Sequence, residues 1–374
     1  MKEIYLFFIL FISFFMFSEV KGARELIRAF HLDCGRKFFT VVEVKDMIDL
    51  LFENNYNYLE LAIGNDGMRF LLNDMAIQSK GNLYSSDDVK SAINEGNINY
   101  YDAGEQNEWN EEEMDEIISY ANERKIQILP LINSPGHMDS ILYAAEKLTK
   151  KSCAYVKSVR TIDVTNEIAV DFTQKFIQLY LKYFKKKGIK YFNLGSDEYA
   201  NDVFSSGFQH LIDSKKYGYL LKYINENAEL VEKAGLQPVS FNDPFYYNNV
   251  KEAKIDDKIY TLNKNILLAY WSAGWNGYNL AKASTLEEAG FKFINTNGNW
   301  YYIFGRNVME DNLRKISFNT VIGVGRMDVE GCMICAWSDD PWIEYEEVEK
   351  NNIKKVITFF SSSNSIFNPI NYLD

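Results

Sequence analysis

The stretch YFNLGSDE, residues 191–198, sets two carboxylates side by side directly after an apolar run. Tyr191, Phe192 and Leu194 favour a strand, and Gly195-Ser196 interrupts it just before Asp197 and Glu198. Like charges this close repel, so at least one of the pair is expected to hold its proton abnormally. A helix N-terminus would also accept an Asp-Glu pair, because acids suit the helix dipole. Chemistry needs further groups, and they stand at similar breaks in the chain. Arg36 follows AFHLDCG (29–35), and His137 closes NSPGH (133–137). Phe241 opens FND (241–243), Trp271 lies in YWSAGW (270–275) and Tyr301 in NGNWYY (297–302). Trp337 and Asp339 lie in AWSDD (336–340). Paired acids can transfer a proton and stabilise developing positive charge, and aromatic faces suit the apolar side of a pyranose. Together these are the parts of a glycoside-cleaving site.

The elements that would position them alternate. Strand-like runs fall at 29–35, 57–63, 125–132, 190–195, 237–241, 266–271, 292–297 and 332–337. Between them, segments such as VVEVKDMIDLLFENN, NEEEMDEIISYANERK and YGYLLKYINENAELVEKAG repeat apolar residues every three or four positions, as amphipathic helices do. Eight such units predict an α/β fold, a (β/α)8 TIM barrel with loop insertions, with a doubly wound sheet as the alternative. In a barrel the strand ends converge on one face, so all the residues above would share one pocket. No linker or repeat divides the chain, and residues 24–374 are expected to form a single catalytic domain.

Composition narrows the function. A formal charge of −12 with no basic face argues against a nucleic-acid partner. His31, His137 and His210 match no common zinc spacing, so neither a metal nor another cofactor is expected. Cys332 and Cys335 form a C-x-x-C, but on the strand-like GCMICAW they would point to opposite faces and read as small buried hydrophobes. Residues 1–23 read as a secretory signal peptide, with an apolar run at 4–17 and cleavage near Gly22 or Ala23. An uncleaved anchor is the alternative, so the protein is expected to be secreted or associated with the cell surface.

The motifs LDCGRKFFT, INSPGHMD, FNLGSDEYAND, YWSAGWNGYN, FINTNGNWYY and AWSDD, in this order, resemble glycoside hydrolase family 20, the β-N-acetylhexosaminidases. The similarity covers about residues 28–345 and is strongest to bacterial cell-surface exo-β-N-acetylglucosaminidase modules, with dispersin-type hydrolases more distant. It implies removal of terminal β-linked N-acetylglucosamine from glycans, with the substrate's own acetamide as nucleophile and retention of configuration. By the same resemblance Glu198 would protonate the leaving oxygen, with repulsion from Asp197 expected to hold its proton to higher pH, and Asp197 would orient the acetamide and steady an oxazolinium intermediate. Tyr301, or Tyr302 beside it, would bond the acetamide oxygen. Trp271 and Trp337, with Phe241 or Trp275, would wall the sugar; Arg36 and Asp339 would grip its outer hydroxyls, and His137 would support the acids. For His137 a plain loop histidine and for Trp271 a plain core residue remain the alternatives. Asn193, Ser196, Leu131, Asn133, Glu60, Ala62 and Phe241 depart from the wider family's pattern, while the acid pair is intact. Two other classes stay open at this stage. One is a non-catalytic sugar-binding protein; the other is a two-carboxylate glycosidase using Asp66, Asp243 or Asp339 as nucleophile.

Overall fold

The computed structural model describes residues 25–101, 107–245, 262–272, 283–314, 318–321, 325–326 and 328–367. The expected signal peptide and Trp275 lie outside the described residues. Eight parallel strands form the centre: β1 (Ile27–Leu32), β2 (Tyr58–Asn65), β3 (Gln127–Ile132) and β4 (Tyr191–Asn193), then β5 (Gln237–Phe241), β6 (Leu267–Tyr270), β7 (Lys292–Asn295) and β8 (Gly331–Trp337). Each pairs with the next in sequence, and β1 pairs with both β2 and β8, so the sheet closes into a barrel. The doubly wound alternative is excluded by that closure.

Alternation along the strands sorts the side chains into two cores. Ala29, Ala62, Leu129, Leu131, Val239, Ala269, Ile294, Met333 and Cys335 fill the barrel interior. Phe30, Leu59, Leu61, Ile128, Phe192, Leu268, Phe293 and Ile334 point outward against the helices. The C-x-x-C follows this rule: Cys332 packs in the outer core and Cys335 in the inner one, both as free, buried thiols. The helices start where the sequence marks them. Thr40 with Glu43 and Asn110 with Glu113 form reciprocal capping boxes on helices Val41–Glu53 and Glu111–Glu123, satisfying end N–H groups that have no partner within the helix.

Loop insertions sit on the C-terminal rim. After β2 come a hairpin (Ile77–Ser79, Asn82–Tyr84) and helix Ser86–Tyr101. After β7 the short strand Tyr301–Ile303 lies parallel to the end of β8, with Tyr301 opposite Cys335 and Ile303 opposite Trp337. The acid pair does not begin a helix; it lies in a tight turn after β4, and the next helix starts at Gly207. That turn has four positive φ angles: Gly195 at 66°, Ser196 at 75°, Glu198 at 50° and Ala200 at 51°. Gly195 is required there for a second reason. A Cβ on it would stand 2.1 Å from Asn133 Oδ1. Gly195→Ala is expected to cost about 1–3 kcal/mol of stability from the backbone alone, and more from displacing Asn133. A thermal melt that leaves Tm unchanged would contradict this.

Candidate active site

The ends of β1, β3, β4, β5, β6 and β8, with the loop after β7, enclose a cavity of about 350 Å³. Nine of the residues singled out in the sequence line it: Arg36, His137, Asp197, Glu198, Phe241, Trp271, Tyr301, Trp337 and Asp339. Tyr302 points the other way. Its buried hydroxyl donates to Glu349 Oε2 at 2.5 Å on the helix Glu347–Ser363, which leaves Tyr301 as the tyrosine of the pocket.

One wall is a charged chain. Arg36 donates from Nε to Asp66 Oδ2 (2.6 Å), and from Nη1 to Asp33 Oδ2 (3.1 Å) and Asp339 Oδ1 (3.3 Å). Asp33 also accepts the Ser338 N–H at 3.1 Å, tying the end of β1 to that of β8. The other Asp66 oxygen, Oδ1, meets His137 Nδ1 at 2.8 Å, and His137 Nε2 lies 3.3 Å from Glu198 Oε2 and 3.9 Å from Asp197 Oδ2. His137 is 3% exposed, so it is no loose loop histidine. Because the Asp66 carboxylate can only accept, the closer contact of Nδ1 is an N–H donated to Asp66, with Arg36 Nη2 farther off at 3.3 Å, and Nε2 faces the acids. Asn201 donates to the same Glu198 oxygen, Oε2, at 2.7 Å.

Asp197 is fixed separately. Asn133 donates from Nδ2 to Asp197 Oδ1 at 2.7 Å, while its own Oδ1 accepts the Ser196 N–H at 3.0 Å. The acids' turn is thus held by side chains from neighbouring loops: Asn133 takes the amide of Ser196, Asp243 that of Glu198 and Thr161 that of Ala200. Asn133 and Asp243 stand at strand ends, where the sequence could have flagged them. Thr161 comes from the long connection beyond Asp139–Thr149 and carries no sequence signal.

The opposite wall is apolar. Phe241, Trp271, Tyr301 and Trp337 pack on the inner core of the barrel. Trp271 is a wall residue and not a core one, for it lines the cavity while its indole donates to Asp243 Oδ1 at 3.1 Å. Trp337 lies 6.0 Å from the Arg36 guanidinium, within cation–π range.

Proton affinities follow from this geometry, and one expectation is reversed. Burial pushes Asp197 up; the charge of His137 opposes this and the like charge of Glu198 adds to it, with a net rise. Burial also raises Glu198, but the hydrogen bond and charge of His137, then Arg36, outweigh it and hold Glu198 below its ordinary value. Repulsion from Asp197 therefore does not keep the proton on Glu198. Burial disfavours the cationic imidazole of His137, yet Asp66 and then Asp197 hold its pKa well above 6.5. The His137–Glu198 pair carries one proton near neutrality, and it rests on the imidazole. Among the described residues, no group of three or more His, Cys, Asp or Glu side chains is arranged to hold a metal ion, and no helix is long and apolar enough to cross a membrane.

A (β/α)8 barrel whose C-terminal rim joins adjacent carboxylates, a buried Arg-Asp-His chain and an aromatic wall defines a glycoside hydrolase. Residues 27–331 match the family model of Glycosyl hydrolase family 20, catalytic domain, and the chain belongs to that family. A solved structure of tandem catalytic modules of the pneumococcal exo-β-D-N-acetylglucosaminidase StrH superposes with a TM-score of 0.86 at 39% identity, covering 92% of this chain and 84% of that one. Dispersin B shares the fold, with a TM-score of 0.66 at 18% identity over 90% of this chain and 99% of its own. A lacto-N-biosidase of Bifidobacterium bifidum is 26% identical over 262 residues; the match spans 64% of this chain but 22% of that protein.

Proposed function

We propose that this protein is an exo-acting β-N-acetylhexosaminidase that removes terminal β-linked N-acetylglucosamine from glycans by substrate-assisted, retaining hydrolysis. The observation that carries the proposal is the state of the carboxylates around the cavity. Asp66, Asp339 and Asp243 are each engaged: Asp66 by Arg36 and His137, Asp339 by Arg36, and Asp243 by the Glu198 amide and the Trp271 indole. None is poised as a nucleophile facing an acid across a sugar ring, which is what a two-carboxylate retaining mechanism needs. The acids that remain, Asp197 and Glu198, are neighbours in sequence and both approach His137 Nε2, at 3.9 Å and 3.3 Å, rather than facing each other across a sugar ring. The nucleophile is then the acetamide of the substrate itself.

Glu198 gives its proton to the leaving oxygen. Both of its side-chain donors, His137 and Asn201, fall on Oε2, so Oε1 is the oxygen that meets the substrate. The pair's proton passes from His137 Nε2 to Oε2. Rotation about the Cγ–Cδ bond then turns that O–H to the substrate side in place of Oε1, and Asp66 keeps the imidazole in the orientation that delivers it. As the glycosidic bond breaks, Asp197 draws the acetamide N–H and opposes the positive charge of the oxazolinium, while Tyr301 donates to the acetamide oxygen. Ionised Glu198 then takes a proton from the water that opens the ring. Arg36 and Asp339 grip outer hydroxyls, and Phe241, Trp271 and Trp337 wall the apolar faces. A sugar-binding protein would need the grip and the wall, but not a proton chain from Asp66 to Glu198.

The direct test is release of p-nitrophenol from the β-N-acetylglucosaminide, with competitive inhibition by a thiazoline mimic of the oxazolinium. Turnover insensitive to the thiazoline would reject acetamide participation; no turnover would favour the binding protein. Residues 24–374 act as one catalytic domain, and 1–23 as the signal that takes it to the exterior or the cell surface.

The pH profile follows from the proton affinities. The step needs Asp197 ionised, which fails as pH drops through its raised pKa, above the ordinary 3.8. It also needs one proton on the His137–Glu198 pair, which is lost as pH rises through the imidazole pKa, above the ordinary 6.5. A bell with those limbs is expected in kcat/KM. His137→Gln leaves Glu198 as sole proton store, so the alkaline limb moves to lower pH and the bell narrows. An unmoved alkaline limb would show that the two groups share no proton.

A further inference from the structure

Asp243 is a carboxylate beside the acid pair that takes no part in the reaction, and it is fully buried. It stands two residues beyond Phe241 at the end of β5. Its oxygens are divided between two elements. Oδ2 accepts the backbone N–H of Glu198 at 2.7 Å, and Oδ1 accepts the indole N–H of Trp271 at 3.1 Å. The preceding residue makes the same reach, since Asn242 Oδ1 accepts the Trp271 backbone N–H at 2.8 Å. Glu198 has φ 50°, a left-handed conformation that an ordinary side chain adopts only when its surroundings impose it. The bond to Asp243 is what fixes the amide of that residue.

A buried carboxylate is costly unless its oxygens meet donors, and this one meets two. Serine would be too short to span both, and asparagine would turn an N–H₂ toward one of the donors. From this geometry we propose that Asp243 is a positioning residue: a strut that sets the proton donor Glu198 and the aromatic wall Trp271 in one fixed relation, so that a sugar seated on the indole presents its leaving oxygen to the acid. The proposal rests on Glu198 being the acid and adds what holds it in register.

The test uses the full-length protein and two substrates, an activated dinitrophenyl β-N-acetylglucosaminide and an unactivated N-acetylglucosaminyl disaccharide. Asp243→Asn is nearly isosteric and breaks one of the two bonds. Its kcat/KM on the disaccharide should fall about 10–10²-fold, while the activated glycoside, which leaves without protonation, is largely spared. Trp271→Phe keeps an aromatic wall but removes the indole donor, and should show the same leaving-group dependence in weaker form. The double variant should lose less than the product of the single losses, because both act on one strut. These ratios between substrates are insensitive to a general drop in folded fraction, which lowers both rates alike. If Asp243→Asn does not fold, Trp271→Phe carries the test alone, and equal losses on both substrates would overturn the proposal. Glu198→Gln serves as the reference. Leaving-group dependence in Glu198→Gln without any in Asp243→Asn would overturn the strut alone; its absence from Glu198→Gln would overturn the acid assignment and the strut with it.

Discussion

Glu198→Ala is expected to lose about 10²–10⁴-fold in kcat on unactivated disaccharides, the usual contribution of a positioned general acid. On a dinitrophenyl glycoside most of that loss should vanish, because the phenolate departs without a proton. The asymmetry is the signature of the role, and it follows from what surrounds the side chain. Glu198 is the member of the acid pair in direct reach of the imidazole at 3.3 Å, and it remains partly exposed to the mouth of the cavity, with its side chain 33% accessible. It can therefore both recharge from His137 and meet an incoming leaving group. A small exogenous anion such as azide should not restore the disaccharide rate, since no proton comes with it. Equal losses on both substrates would assign Glu198 some other function.

Asp197→Asn is expected to fail on every substrate alike, by about 10²–10³-fold in kcat, the range for removing one preorganised charge-stabilising group. Asparagine keeps the shape and can still accept the Asn133 bond that holds the native carboxylate at 2.7 Å, so the change isolates charge from geometry. Every substrate must form the same oxazolinium, whatever its leaving group. The kinetics of the two variants on the two substrates form a cross, and a reversed cross would exchange the roles. Azide adding to the Asp197 variant to give an α-glycosyl azide would point instead to a carboxylate nucleophile.

The barrel was legible because its pattern is local. All eight strand runs read from apolar β-branched and aromatic clusters coincide with observed barrel strands, and the rule that chemistry gathers at strand ends brought nine separate residues into one cavity. What local pattern lacks is facing. Tyr301 and Tyr302 are adjacent on one short strand, so alternation sends one inward and one outward, yet nothing nearby says which. Glu349, 47 residues on, takes the Tyr302 hydroxyl and settles it. The proton affinity of Glu198 was misread for a similar reason. Adjacency to Asp197 is visible in sequence, whereas the charge of His137, itself raised by Asp66 just beyond the end of β2, is a product of barrel closure. Asn133 and Asp243 were in view at strand ends, but their work is on backbone amides with positive φ, and no sequence pattern announces that turn.

Substrate assistance is tested most directly by weakening the assisting group and nothing else. A series of aryl β-glucosaminides carrying acetyl, fluoroacetyl, difluoroacetyl and trifluoroacetyl groups on the 2-nitrogen keeps ring, linkage and leaving group constant while draining electron density from the carbonyl oxygen. If that oxygen attacks the anomeric carbon, log kcat/KM falls at each added fluorine in proportion to the electron withdrawal, and the trifluoroacetyl compound is the poorest substrate of the four. A flat series, with rates unmoved by fluorination, would mean that the nucleophile comes from elsewhere, and the division of labour between Asp197 and Glu198 would be wrong.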